Sequence, residues 1–137
     1  MTERTIQLST KGFCDVIDVT SVIEEAVEQS GIQQGLVCVS VAGSTAGVTT
    51  LEYEPNLVED LSDFFESILP RAMETRHGKT WGDDNGFSHL RASLLGPSVT
   101  LPVAGGGVVR GTWQQVVVVD FDNRPRERDV QITVVGD

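Results

Sequence analysis

Basic residues are scarce in this chain. Ten lysines and arginines stand against 20 aspartates and glutamates, a net charge of −10, and the only lysines are Lys11 and Lys79. A surface of that sign repels a phosphate backbone, so nucleic acid is not an expected partner; the acidity itself reads as a solubility feature. No apolar run approaches the roughly 20 residues a membrane helix needs, so no membrane partner is expected either. The opening MTERTIQLST is charged and polar, unlike a secretory leader, and the expected location is cytoplasmic. Cysteine is limited to Cys14 and Cys38, isolated and outside any CxxC. In a cytoplasmic protein such thiols are expected to be free, buried and structural. At 137 residues the chain can bury a core without disulfide staples, and one domain over residues 1–137 is expected.

What is present is mostly strand-like. Residues 4–9 and 13–19 alternate apolar and polar positions around Thr10-Lys11-Gly12, the pattern of an N-terminal hairpin. Ser21 and Glu24 have the spacing of a capping box ahead of a helix with a Val22, Ile23, Ala26, Val27 stripe, stopped by Gly31. GLVCVSVAG (35–43) is apolar enough for a central strand, and AGVTTLEYE resumes as a strand after Gly43-Ser44-Thr45. Pro55 opens a second helix whose apolar stripe reads Leu57, Leu61, Phe64, Ile68. Residues 71–87 lack a period and form the longest irregular stretch, a length usually reserved for functional or mobile loops. A short helix from Phe87 then places Phe87, Leu90 and Leu94 on one face and His89, Ala92, Ser93 and Gly96 on the other. The last third reads as strands, with turns at AGGG and NRPRE. In WQQVVVVDF both faces are apolar, which requires cover on both sides from a second sheet or a second subunit.

The only histidines, His77 and His89, flank the irregular stretch beside Asp83-Asp84-Asn85. Two imidazoles with a carboxylate such as Asp84 would suit Zn²⁺ or another divalent metal with a position open to water. The bland alternative is a His89 bonded to a backbone carbonyl and a His77 on the surface. Asn85 and its neighbours also read as a helix cap, a role compatible with holding an anion at the helix start. Arg91 is a candidate clamp for phosphate or carboxylate. Ser44 and Thr45 offer hydroxyls in a glycine-flanked loop that lacks the lysine of a phosphate-binding loop. Glu52 and Glu54, two apart on one strand, would share a face, where Glu52 could serve as general base. Trp113 and Gln114 face opposite sides of their strand, and Gln114 is the better candidate for a substrate hydrogen bond.

Ser98, Leu101, Val103, Gly106, Gly111-Thr112-Trp113-Gln114 and Val116, with GSTAGVTTLEYEP and DDNGFSHLRASLLGPS, resemble the YjbQ-like family of uncharacterised proteins, also called UPF0047. Some members are described as having a secondary thiamine-phosphate synthase activity. The resemblance runs nearly end to end. It implies an α+β fold of two β-sheets forming a sandwich with flanking helices, a homotrimer around a threefold axis, and a polar pocket near the subunit boundary. That pocket would gather Ser44, Thr45, Glu52, His89 and Gln114. Many members carry histidine where Gly43 stands, and relatives with this loop variant often have one in place of Phe87.

Three classes of function are expected from this reading. The first is an enzyme acting on a small anionic substrate, of thiamine-phosphate synthase type, with His89 and Glu52 catalytic and Ser44, Thr45, Asn85, Arg91 and Gln114 binding. The second is a metal-assisted hydrolase or lyase using His77, His89 and Asp84. The third is a non-catalytic trimer that holds a metabolite or metal. Pyrophosphate chemistry leans on Mg²⁺ and cationic groups, and a chain so poor in basic residues is meagrely equipped for it.

Overall fold

The apolar strand near the C-terminus is the seam of the molecule. In the computed structural model, which describes residues 1–137, this strand is β7 (Gln115–Asp120), the middle of a three-stranded antiparallel sheet in the order β2 (Asp15–Asp18), β7, β4 (Ala46–Leu51). A five-stranded antiparallel sheet runs β1 (Thr2–Thr10), β8 (Arg126–Gly136), β3 (Gln34–Val41), β5 (Ser98–Ala104), β6 (Gly107–Val108). Strand alternation sends Val116 and Val118 into a core shared with Val37, Val39, Val130 and Ile132 of the larger sheet. Val117, Val119 and Phe121 meet a second cluster containing Phe65 and Ala92, from helices α2 (Pro55–Ile68) and α4 (Gly86–Leu95). Each buried valine contributes about 1.5–3 kcal/mol. Cover on both faces therefore comes from one chain, and Val118, fully buried there, is a core residue whatever the assembly.

The expected N-terminal hairpin does not form. β1 pairs along its whole length with β8, from Thr2↔Val134 to Thr10↔Arg126, while β2 joins β7 in the other sheet. Phe13 and Cys14 turn through positive φ (56° and 73°), and their amides bond to Asp122 and Asp120 carbonyls at 2.8 and 2.9 Å. Cys14 thus sits in this turn rather than in a strand. Alternation marked both strands but carries no information about their partners.

Helix α1 (Thr20–Ser30) starts one residue before the expected cap, and the Ser21–Glu24 box is absent. Asp18 instead accepts from the Thr20 amide and hydroxyl at 2.9 and 2.6 Å, and the Thr20 oxygen accepts from the Val116 amide at 2.9 Å. Ile23, Ala26 and Val27 are buried as expected, and Gly31 ends the helix with φ 70°. β4 stops at Leu51, so Glu52 and Glu54 share no strand face. Glu54 caps α2, its carboxylate accepting from Asn56 and Leu57 amides at 3.0 and 2.7 Å.

Both later helices are rotated from the expected phase. On α2 the packed face is Val58, Leu61 and Phe65, leaving Phe64 and Ile68 56% and 44% exposed. On α4, Phe87, Ser88, Arg91 and Ala92 are buried, while Leu90 and Leu94 face outward. The irregular stretch contains one short helix, α3 (Arg76–Trp81), capped by the Thr75 hydroxyl, which accepts from the Gly78 amide at 3.3 Å. No helix is long and apolar enough to cross a membrane.

Candidate functional site

Two aspartates continue the apolar run of β7, and two arginines begin β8. Period-two geometry puts Asp120 and Asp122 on one face and Arg126 and Arg128 on another, and the fold brings the pairs together. Arg128 Nε lies 2.7 Å from Asp120 Oδ2 and its Nη2 lies 3.1 Å from Asp120 Oδ1; Arg126 Nε lies 2.7 Å from Asp122 Oδ2. Both aspartates are fully buried. Thr10 of β1 donates to Asp120 at 2.6 Å. Thr45, in the loop between β3 and β4, donates to Asp122 at 3.0 Å and accepts from Arg128 Nη2. The network ties both sheets to that loop. Buried charges persist only when paired and hydrogen-bonded, and here every carboxylate is. Burial works against the Asp122 carboxylate, but hydrogen bonds from Arg126, the Asn123 amide, Thr45 and Asn85 outweigh it and hold its pKa below the usual value.

Above this network lies a cavity of about 400 Å³, walled by Gly43, Ser44, Thr45, Arg126 and Arg128 on the strand side and by His77, Trp81, Asp83, Asn85 and His89 on the helix side. Arg128 has no hydrogen bond within the chain from Nη1, which abuts Gly43 on the cavity wall. Gly43 has φ 127°, and a Cβ there would collide with that nitrogen; glycine keeps the backbone against the guanidinium. The His77 and His89 rings are 4.5 Å apart between centroids, tilted by 48°. His77 Nδ1 approaches Asp83 Oδ1 at 3.3 Å but out of hydrogen-bond alignment, so this buried nitrogen is unpartnered. The Asn85 amide lies between Asp122 Oδ1 at 3.4 Å and the Asp83 carboxylate at 3.0 and 3.2 Å, and one of its two orientations serves each.

His89 also borders two further hollows. One, of about 320 Å³, is lined by Ala46, Ala92, Ser93, Gly96 and Pro97. The other, of about 640 Å³, is lined by Met73, Glu74, Thr75, Arg76, Gly86 and Leu90 together with His77. The small-residue face seen in the sequence is thus a real wall beside the imidazole.

Of the expected site residues, Ser44, Thr45, Asn85, His77 and His89 come together. Four others do not. Asp84, at φ 53°, lines a separate hollow with Lys79 and Thr75, and Asp83 takes its place near His77. Asn85 stands at the start of α4 but makes no side-chain cap bond. Arg91 is 1% exposed, its Nε bonded to the Leu69 carbonyl at 3.0 Å and its Nη2 to Glu66 at 2.8 Å, with its guanidinium 5.0 Å from the Phe87 ring centre. It braces α4 against α2 and lines none of the hollows described. Glu52 and Gln114 are exposed at the far end of the three-stranded sheet, where Leu51 pairs with Gln115. The five residue steps from Ala46 to Leu51 put the two ends of β4 roughly 17 Å apart. Gln114 bonds to the Gly111 amide and the Thr50 hydroxyl at 3.0 and 3.2 Å, and Trp113, 72% exposed, sits in the turn before β7.

No group of three histidine, cysteine, aspartate or glutamate side chains is gathered closely enough to hold a metal ion. The His77, His89, Asp84 set does not fit Zn²⁺, whose structural and catalytic sites need three or four converging ligands. In the sequence Arg126 is hidden in the turn signal NRPRE, and Asp120, Asp122 and Arg128 lie at the ends of strand segments read only for their apolar residues. Their signal was present: charged pairs at a spacing of two, at the end of one fully apolar strand and the start of the next.

The model of the family described as UPF0047 protein YjbQ-like matches residues 4–137. A UPF0047 protein of Methanothermobacter thermautotrophicus is 35% identical over 131 residues, covering 96% of this chain and 90% of the relative. Among solved structures, a protein of unknown function from Sulfolobus solfataricus is 33% identical with a TM-score of 0.94, over 99% of this chain and 97% of that one. A hypothetical protein from Aeropyrum pernix K1 is 31% identical with a TM-score of 0.91, and each chain is covered in full, 100%.

Proposed function

The chain belongs to the YjbQ-like UPF0047 family, and from its pocket we propose that it binds a small organic anion and acts on it by proton transfer through His89. The observation that carries this reading is the free Nη1 of Arg128, a residue 7% exposed, turned to a cavity whose opposite wall is an imidazole pair. A guanidinium edge beside an anion supplies charge-assisted hydrogen bonds, and imidazole is the side chain suited to moving protons near neutral pH. Ser44, exposed at the mouth, adds a hydroxyl. Thr45 and Asn85 orient the charged network behind it.

Other readings rank lower. A metal-assisted hydrolase would need donors that do not converge here. Thiamine-phosphate synthase chemistry must stabilise a leaving pyrophosphate, a multiply charged group, while the paired aspartates neutralise most of the charge of the pocket arginines. Homotrimeric assembly remains part of the proposal, supported by Phe64, Ile68 and Leu94, which one chain leaves exposed; light scattering giving a monomer mass would remove it. Ligand retention without turnover would leave a trimeric binding protein.

The deciding measurement is titration of imidazole NMR signals with simple anions up to about 10 mM, a range that detects millimolar binding. Shifts of both histidines in the wild type, weakened in Arg126→Gln, are expected. Unmoved imidazole signals would overturn the reading.

A further inference from the structure

We infer that the ligand of this pocket is a monocarboxylate bearing a small apolar body, a refinement that rests on the anion-binding reading above. Charge is the first reason. The cavity is walled or backed by the guanidiniums of Arg126 and Arg128 and by the carboxylates of Asp83, Asp120 and Asp122. Negative charge is in excess before the imidazoles are counted. Glu74 and Arg76 line the adjoining hollow beside Leu90, Asp84 and Lys79 line the next one, and each pair sums to zero. A dianion would set twice the charge of a monoanion against that excess. A single negative charge needs less compensation.

Shape is the second reason. Arg126 commits only Nε, to Asp122, which leaves both terminal nitrogens for a planar acceptor; Arg128 adds Nη1. Parallel N–H bonds to the two oxygens of a carboxylate match such an edge. The third reason is apolar space. Beside His89 the hollow of about 640 Å³ presents Met73 and Leu90 among Glu74, Thr75 and Arg76, and Leu90 is 42% exposed with no packing role in the core. A ring or short branched chain attached to the carboxylate would cross the imidazole and cover that leucine.

Calorimetric titration with benzoate, acetate, inorganic phosphate, phenylphosphonate and benzyl alcohol tests the assignment. Benzoate should bind about tenfold more tightly than acetate, the return expected from burying part of a ring, and more tightly than either phosphorus anion. Leu90→Asp, a change at an exposed position, should reduce benzoate to the level of acetate. Arg126→Gln should weaken both carboxylates by about tenfold or more, with circular dichroism confirming that both variants fold. Phenylphosphonate or phosphate binding more tightly than benzoate, or benzoate no better than acetate, overturns the monocarboxylate assignment and leaves anion binding standing. Benzyl alcohol binding as well as benzoate, or no binding by any anion, overturns the underlying reading as well.

Discussion

The two ends of the three-stranded sheet are built on opposite principles. At one end, where Ala46 pairs with Asp120, charges are buried, paired and joined through Thr10 and Thr45 to the other sheet. At the other, where Leu51 pairs with Gln115, Glu52, Trp113 and Gln114 lie exposed, and the glutamine's bonds stay within its own neighbourhood. Segments at both ends resemble family motifs, most sharply Gly111-Thr112-Trp113-Gln114 at the exposed end. Only the first is organised around a cavity. Resemblance locates residues that matter to a fold or a function, whereas buried charge beside a hollow is the feature on which the proposed anion site rests.

The contrast breaks most sharply on removing a buried charge. Asp120→Ala should cost about 3–5 kcal/mol in denaturant unfolding, because Arg128 is then left buried without its carboxylate. Gln114→Ala should cost far less. Equal losses would mean that the ion network is no more structural than an exposed turn. Next in size is Arg91→Met, expected to cost about 2–3 kcal/mol by stripping the bonds to Leu69 and Glu66. It should leave anion titrations unchanged, since Arg91 braces helices and does not reach the pocket.

These outcomes bear on what was legible beforehand. The central β3 and the two-faced β7 were visible because a strand buried on both sides has few polar residues to hide it. Strand partners were not, since alternation in residues 4–9 and 13–19 fits either a hairpin or two separate sheets. Helix faces failed for a related reason. Phe64 and Phe65 are adjacent on α2, so two apolar stripes compete, and the tertiary fit chose Phe65. On α4 the choice fell to Arg91, whose burial no apolar pattern anticipates. His89 is legible as a candidate because small residues flank its ring, and Ser44 and Thr45 because they put hydroxyls in a glycine-flanked loop. Arg126 was hidden by the proline between it and Asp122, and Arg128 by a strand segment read only for its apolar residues.

Smaller effects appear on the pH axis, and both report the charged end. Asp122 has a depressed pKa in the fold; its contribution is present above the unfolded value of 3.8 and is lost as pH falls through the lower folded value. Stability should therefore decline in acid by at most about 1.4 kcal/mol per pH unit from this group, and Asp122→Asn should flatten that limb. Cys14, whose amide bonds the Asp120 carbonyl at 2.9 Å, has its thiol pushed by burial from 9.0 to about 11. That contribution is complete below pH 9.0 and is lost as pH rises towards about 11. Cys14→Ala should remove the alkaline limb in urea unfolding between those values. An alkaline limb unchanged in the variant would show that the thiol is not its source.

The smallest effects belong to the exposed end. Glu52→Gln and Gln114→Ala touch side chains in contact with solvent, and each should change unfolding free energy by no more than about 0.5 kcal/mol. Neither should alter anion titrations of an isolated chain, because the two ends of β4 lie roughly 17 Å apart. A second copy changes the geometry. If assembly brings the Gln114 end of one chain against the cavity of another, Gln114→Ala weakens anion binding while the unfolding of dilute, dissociated chains stays as in the wild type. The decisive comparison is anion affinity measured above and below the concentration at which light scattering shows dissociation. A Gln114 effect present only in the assembled state would make the two ends halves of one site across a subunit boundary. No effect in either state leaves Gln114 a turn residue and confines the chemistry to the charged end.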